Sequence, residues 1–187
     1  MSPPLRYLYQ VIGQIFDTNW REVERVGRFC RQEKLVPGGK PGPGGGPAES
    51  TPETIAYILL GLLATDSRRD AGIEASLVGM LAPRGRRTCR ITGTRSLSAA
   101  LTKILSNPAL AEQAVVLSVT RAPGYGADLV FKNDRQDFVL LKNKDQAEEP
   151  VSRHMSIAGV QLLRLALELS DEGTSDGDDD NEWTAEA

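Results

Sequence analysis

Between residues 37 and 47, ten of eleven residues are glycine or proline, the exception being Lys40. Proline fixes φ and lacks a backbone N–H, and glycine weakens helix and strand alike, so this stretch forbids both helix and central strand. It reads as a loop, and order must be built on either side of it. A chain of 187 residues leaves room for one domain or two small ones. With 40% apolar and only 5% aromatic residues, the core has to come from Leu, Val, Ile and Ala. The longest apolar stretch, residues 55–64, contains a Tyr and a Gly and is about half of the roughly 20 residues that span a bilayer. No signal peptide is expected, because Met1-Ser2-Pro3-Pro4 leads into a segment broken by Arg6, Gln10 and Gln14. Cys30 and Cys89, without CxxC spacing, suggest neither a disulfide framework nor a zinc site. The expected setting is a reducing cytoplasm, with no membrane partner.

The formal charge of −3 conceals an asymmetry. Residues 171–187 hold eight acids and no base, so residues 1–170 carry all 22 bases against 17 acids, a surplus of five. The acidic run, with its Gly, Ser and Thr, buries too little to offset ordering entropy and is expected to be a disordered tail. It either solubilises the chain or competes with an anionic ligand for the basic body.

Ahead of the glycine loop lie two helical patterns. Leu5, Leu8, Ile12 and the pair Ile15/Phe16 recur at helical spacing, and Asp17-Thr18-Asn19 supplies cap-type side chains for a second helix over residues 20–33. In that second helix Val23, Val26 and Cys30 form an apolar stripe around Gly27, while Arg21, Arg25, Arg28 and Gln32 fall on the opposite side, flanked by Arg31 and Lys34. One buried face and one guanidinium face is what docking in a major groove requires. A merely solvated face, shared with Glu22 and Glu24, is the alternative. The short connection makes the two segments a helix-turn-helix pair. Beyond the loop, Ser50 or Thr51 caps and Pro52 opens a third, apolar helix over residues 52–64.

The order Arg28-Phe29-Cys30-Arg31-Gln32-Glu33-Lys34-Leu35-Val36-Pro37, then a turn-rich loop, then Thr51-Pro52-Glu53 opening a helix, resembles the MerR-type winged helix. It is also similar to transcriptional regulators of alphaproteobacteria and their prophages. The resemblance covers about residues 4–65 and implies a wing and a third helix behind a DNA-reading helix. This sequence departs from the family at Phe29-Cys30, where an aromatic pair is usual, and at Lys34, where glycine is usual. The loop also lacks the Arg-Tyr signature of the MerR wing.

A second basic element runs from Arg68 to Lys103, with eight bases against Asp70 and Glu74. Within it Pro83-Arg84-Gly85-Arg86-Arg87 repeats the core of an AT-hook, an extended tetrapeptide whose arginines enter the A·T minor groove. Together with Arg90 this cluster is expected to hold phosphates or the minor groove; an unstructured cationic linker explains it equally well.

Residues 96–170 change character. Leu97, Leu101, Ile104 and Leu105 mark a short helix ended by Asn107-Pro108, and strand-like runs follow at 114–120, 127–131 and 137–141. Residues 151–155 suggest an edge strand, and Ser156 a cap for a final helix bearing Ile157, Val160, Leu163 and Leu167. Part of that leucine surface is a candidate for sharing with a second copy.

Catalytic patterns are scarce. His154 is the one histidine, no Walker loop is present, and Asp128, Asp134 and Asp137 are the sole imitation of a two-metal nuclease set. The expected class is α+β: an N-terminal winged helix-turn-helix over 1–66 with its Gly/Pro loop at 37–47, a basic linker over 67–95, an α+β module over 96–170 in which a small antiparallel sheet packs with two helices, and the tail over 171–187. The expected activity is not enzymatic: no cofactor or metal is called for, and the chain is read as a dimeric regulator of transcription that binds double-stranded DNA. The DNA-binding candidates are Arg21, Arg25, Arg28, Arg31, Lys34, Lys40, Arg84, Arg86, Arg87 and Arg90. The alternatives are a phage-type packaging or assembly accessory protein and, behind it, a metal-dependent enzyme.

Overall fold

The computed structural model describes residues 3–37, 50–121, 124–139 and 154–170. Most of the glycine loop with Lys40, the end of the strand-like run expected at 137–141, the first three residues of the expected edge strand at 151–155, and the acidic tail therefore lie outside the described residues.

The first two helices, α1 (Leu5–Ile15) and α2 (Trp20–Gln32), are joined by four residues that close one helix and open the next. The Thr18 N–H donates to the Gly13 carbonyl at 2.8 Å and the Asp17 N–H to that of Gln14 at 3.4 Å, with Asp17 at φ 48°. This is the paired hydrogen bonding by which a helix satisfies its last carbonyls. The Asn19 side chain then accepts from the Arg21 N–H at 2.9 Å and caps α2. α2 ends in the same way as α1: Leu35 donates to Cys30 and Lys34 to Arg31, both at 3.0 Å, with Lys34 at φ 59°.

Helix α3 (Pro52–Ala64) follows, capped by Thr51, whose hydroxyl accepts from the Thr54 N–H at 3.2 Å, and opened by Pro52. It is apolar on every side, and Ile55, Ile58, Leu59, Leu60 and Leu63 are fully buried. A helix with no polar face belongs in the interior. α3 accordingly contacts α2, α4 (Ala71–Gly79), α5 (Leu97–Leu105) and two strands of the sheet.

The sheet is antiparallel throughout. Its strands are β1 (Ala82–Pro83), β2 (Ala114–Thr120), β3 (Gly126–Phe131), β4 (Asp134–Val139) and β5 (His154–Ala158), in the spatial order β1-β4-β3-β2-β5. Alternate residues Leu117, Val119, Ala127, Leu129, Phe131, Phe138 and Ile157 point into the core. The short α6 (Pro108–Ala111) and the final α7 (Gly159–Ser170) complete the chain, and α7 lies on β2 and β5.

The class is therefore mixed α+β, with seven helices and a five-stranded antiparallel sheet among the described residues. Several local expectations change. Residues 67–95 are not a bare linker, because α4 and β1 fall within them and Ala71, Ala75, Val78, Leu81 and Cys89 are buried. One hydrophobic core extends from Leu5 to Ala166, so the helical N-terminal part and the sheet are packed as one body. β4 begins at Asp134, three residues ahead of the strand-like run expected from residue 137. β5 takes Ser156 and Ile157 into the sheet, where Ile157 pairs with Leu117 and Ser156 with Ser118, so Ser156 does not cap α7. Between α2 and α3 no strand occurs among the described residues, and a wing is not established.

Candidate nucleic-acid interface

The apolar stripe of α2 is sealed: Val23, Val26 and Cys30 are fully buried. Burial pushes the Cys30 thiol up to about 12, and its Sγ lies 3.7 Å from the Tyr57 carbonyl, so this cysteine is a piece of core. Gly27 lets α1 come close, because a Cβ there would stand 2.7 Å from the Tyr9 hydroxyl. With that side fixed, helix geometry turns Arg21, Arg25 and Arg28 outward, and all three are exposed.

Their surroundings differ. The Arg21 guanidinium lies 5.5 Å from the centre of the Trp20 ring, and Arg6, from α1, lies 5.0 Å from the same ring. Such cation–π contacts hold two positive charges beside the entry to α2. Arg25 pairs with Glu22 at 3.0 Å, and Glu22 also meets Arg68 at 3.7 Å. Arg28 has no ion pair or hydrogen bond from its side chain among the described residues. Arg31 turns inward instead: it is half-buried and donates to the Tyr9 hydroxyl at 3.3 Å. Burial raises the Tyr9 pKa, and the nearby Arg31 opposes that rise. Lys34 is exposed at the left-handed end of the helix. The outward basic face thus comprises Arg6, Arg21, Arg25 and Arg28. Arg6 escaped the sequence reading because its link to Trp20 depends on how α1 crosses α2.

The arginines at 84–90 form a separate place. Gly85 has φ +73° and the Arg86 N–H donates back to the Pro83 carbonyl at 3.5 Å, so Pro83-Arg84-Gly85-Arg86 is a tight turn. An AT-hook is extended, and this geometry is not. The Arg84 N–H donates to the Asp137 carbonyl at 2.8 Å, folding the turn over β4. The result is an open cavity of about 310 Å³ lined by Arg84, Arg86, Arg90, Asp134, Arg135, Gln136 and Asp137. Arg87 is exposed beside it.

Across β3 and β4, Asp128 and Asp137 stand directly opposite each other. Two like charges in that register repel. Arg135 lies between them, giving Nη2 to Asp128 at 2.9 Å and Nε to Asp137 at 3.0 Å, and both carboxylates raise its pKa, that of Asp128 most. Asp134 meets Arg90 at 3.6 Å. The three carboxylates weighed as a metal set are thus engaged by guanidinium groups, and among the described residues no group of three or more His, Cys, Asp or Glu is placed to hold a metal ion. His154 lies at the sheet edge with Nδ1 3.1 Å from the Thr120 hydroxyl. Among the described residues no helix is long and apolar enough to cross a membrane.

Compared with protein-family models, curated proteins and solved structures, the chain matches none of them.

Proposed function

We propose that the chain binds double-stranded DNA through the outer face of α2 and acts as a dimeric transcriptional regulator, with α1 and α2 serving as a MerR-like helix pair. The observation that carries this reading is the division of α2 into a fully buried stripe and an exposed row of Arg21, Arg25 and Arg28. Guanidinium groups pair bidentately with guanine in the major groove and clamp phosphates beside it. Arg6 and Arg21 around Trp20 add positive charge where the helix begins. A second copy is supported by apolar surface left uncovered on α7 and β5, where Val160 is 72%, Leu167 49% and Met155 37% exposed. Two copies present two reading helices to two half-sites. Arg84, Arg86 and Arg90 have no groove contact in this reading, because the turn at Gly85 gathers them over β4.

The test is selection of bound duplexes from a random pool, with the mass of the complex measured on the selected sequence. One enriched palindrome bound by two protomers supports the reading. A large ring without site preference would favour an assembly accessory protein instead. On the preferred duplex, Arg28→Ala should cost about 1–3 kcal/mol, the range for a good bidentate base contact. Arg25→Ala should cost less, because Glu22 already holds that side chain. Unchanged binding in both variants would overturn the proposal.

A further inference from the structure

The cavity over β4 is built from groups that the duplex reading leaves unused, and the loop forming it is tied down on both sides. Gln136 accepts from the Arg90 N–H at 3.4 Å and donates to the Asp137 carbonyl at 2.9 Å. Farther along, the Cys89 N–H donates to Thr94 at 2.7 Å, and Lys103 donates to the Thr92 carbonyl at 2.7 Å. Cys89 itself is buried, so the loop hangs from the core. Arg135 and Arg90 are held by carboxylates, whereas Arg84 and Arg86 have no side-chain partner among the described residues.

From this geometry we infer that the cavity binds a small phosphorylated ligand rich in hydroxyl groups, of the sugar-phosphate class, with Arg84 and Arg86 taking the phosphate. Three observations select that class. A volume of about 310 Å³ lies at the lower end of small-ligand pockets and is too small to seat a duplex. Two unpartnered guanidinium groups match a phosphate monoester, which carries a charge of about −1.5 to −2 at neutral pH, better than the single charge of a nucleic-acid diester. The lining contains no aromatic or aliphatic side chain on which a base could stack, whereas Asp134 and Asp137 offer acceptors to ligand hydroxyls. With its backbone held against β4, the turn itself needs little reordering on binding, which favours affinity. The site stands independently of the duplex reading, since α2 contributes none of its lining.

The test is calorimetric titration of the full chain with ribose 5-phosphate, with ribose, and with a short duplex bearing 5′-hydroxyl ends. Saturable binding of ribose 5-phosphate and none of ribose is expected. In the double variant Arg84→Ala/Arg86→Ala, whose replaced side chains are exposed, the unfolding midpoint should stay unchanged while ribose 5-phosphate affinity falls about tenfold or more. Its duplex affinity should match that of the parent chain. Absence of saturable binding, or equal affinity in parent and variant, would overturn the inference. So would a matching loss of duplex affinity in the variant together with displacement of ribose 5-phosphate by the duplex, because the cavity would then belong to nucleic-acid phosphates.

Discussion

Arg135 has a structural task set by strand register. Asp128 and Asp137 face each other on neighbouring strands, and one guanidinium group reaches both. Arg135→Ala should lower the unfolding midpoint, and adding Asp128→Asn should restore part of it by removing one of the opposed charges; thermal denaturation of the single and double variants reads this directly. Lys34 carries a different local cost. It occupies the left-handed position that ends α2, at φ 59°, where a side chain costs about 1–2 kcal/mol. Lys34→Gly relieves that strain but gives back part of the gain as freedom of the unfolded chain, so chemical denaturation should show a net stabilisation of about 0.5–1 kcal/mol.

Among elements, α7 depends most on a close approach. It begins directly after β5, and a Cβ on Gly159 would overlap the Ala114 carbonyl at the start of β2. Gly159→Ala should destabilise the protein by about 1–3 kcal/mol through overpacking, measured by denaturant unfolding, because the obstacle is backbone and cannot swing aside. The helices were the most legible elements in the sequence. α1, α2 and α3 follow from periodicity and caps, since buried stripes such as Val23, Val26 and Cys30 repeat within one helix. β2 was equally clear from its run of apolar and β-branched residues. β4 was not: Asp134-Arg135-Gln136-Asp137 has the composition of a turn, and it becomes a strand because β3 and β1 pair with it on both sides. β5 was misplaced because Ile157 and Val160 fit a helical spacing, and only pairing with β2 assigns Ile157 to the sheet.

At the scale of the whole molecule, the shared core couples regions far apart in the chain. Tyr125, just ahead of β3, donates to Glu74 of α4 at 3.0 Å, joining the helices to the sheet. Burial, followed by the Glu74 carboxylate, raises the Tyr125 hydroxyl from the ordinary tyrosine value of 10.0 to about 12. The unfolded chain therefore loses this proton first as pH rises. The stability that the neutral hydroxyl contributes is complete below pH 10 and declines between pH 10 and about 12. Tyr125→Phe should reduce the steepness of that decline in midpoint against pH, with Tyr9, also raised by burial, retaining its share.

By itself the sequence determined the α+β class, the faces of the helices and the basic surplus. Periodicity and capping act over a few neighbouring positions, so a local reading captures them. The tertiary structure decided which arginines share a surface. It turned Arg31 inward to Tyr9, set Arg6 beside Trp20, curled Arg84 and Arg86 over β4, and brought Arg135 and Arg90 to the same cavity. Those outcomes depend on strand register and helix docking, which join segments tens of residues apart through hydrogen bonds and buried contacts that no local pattern records.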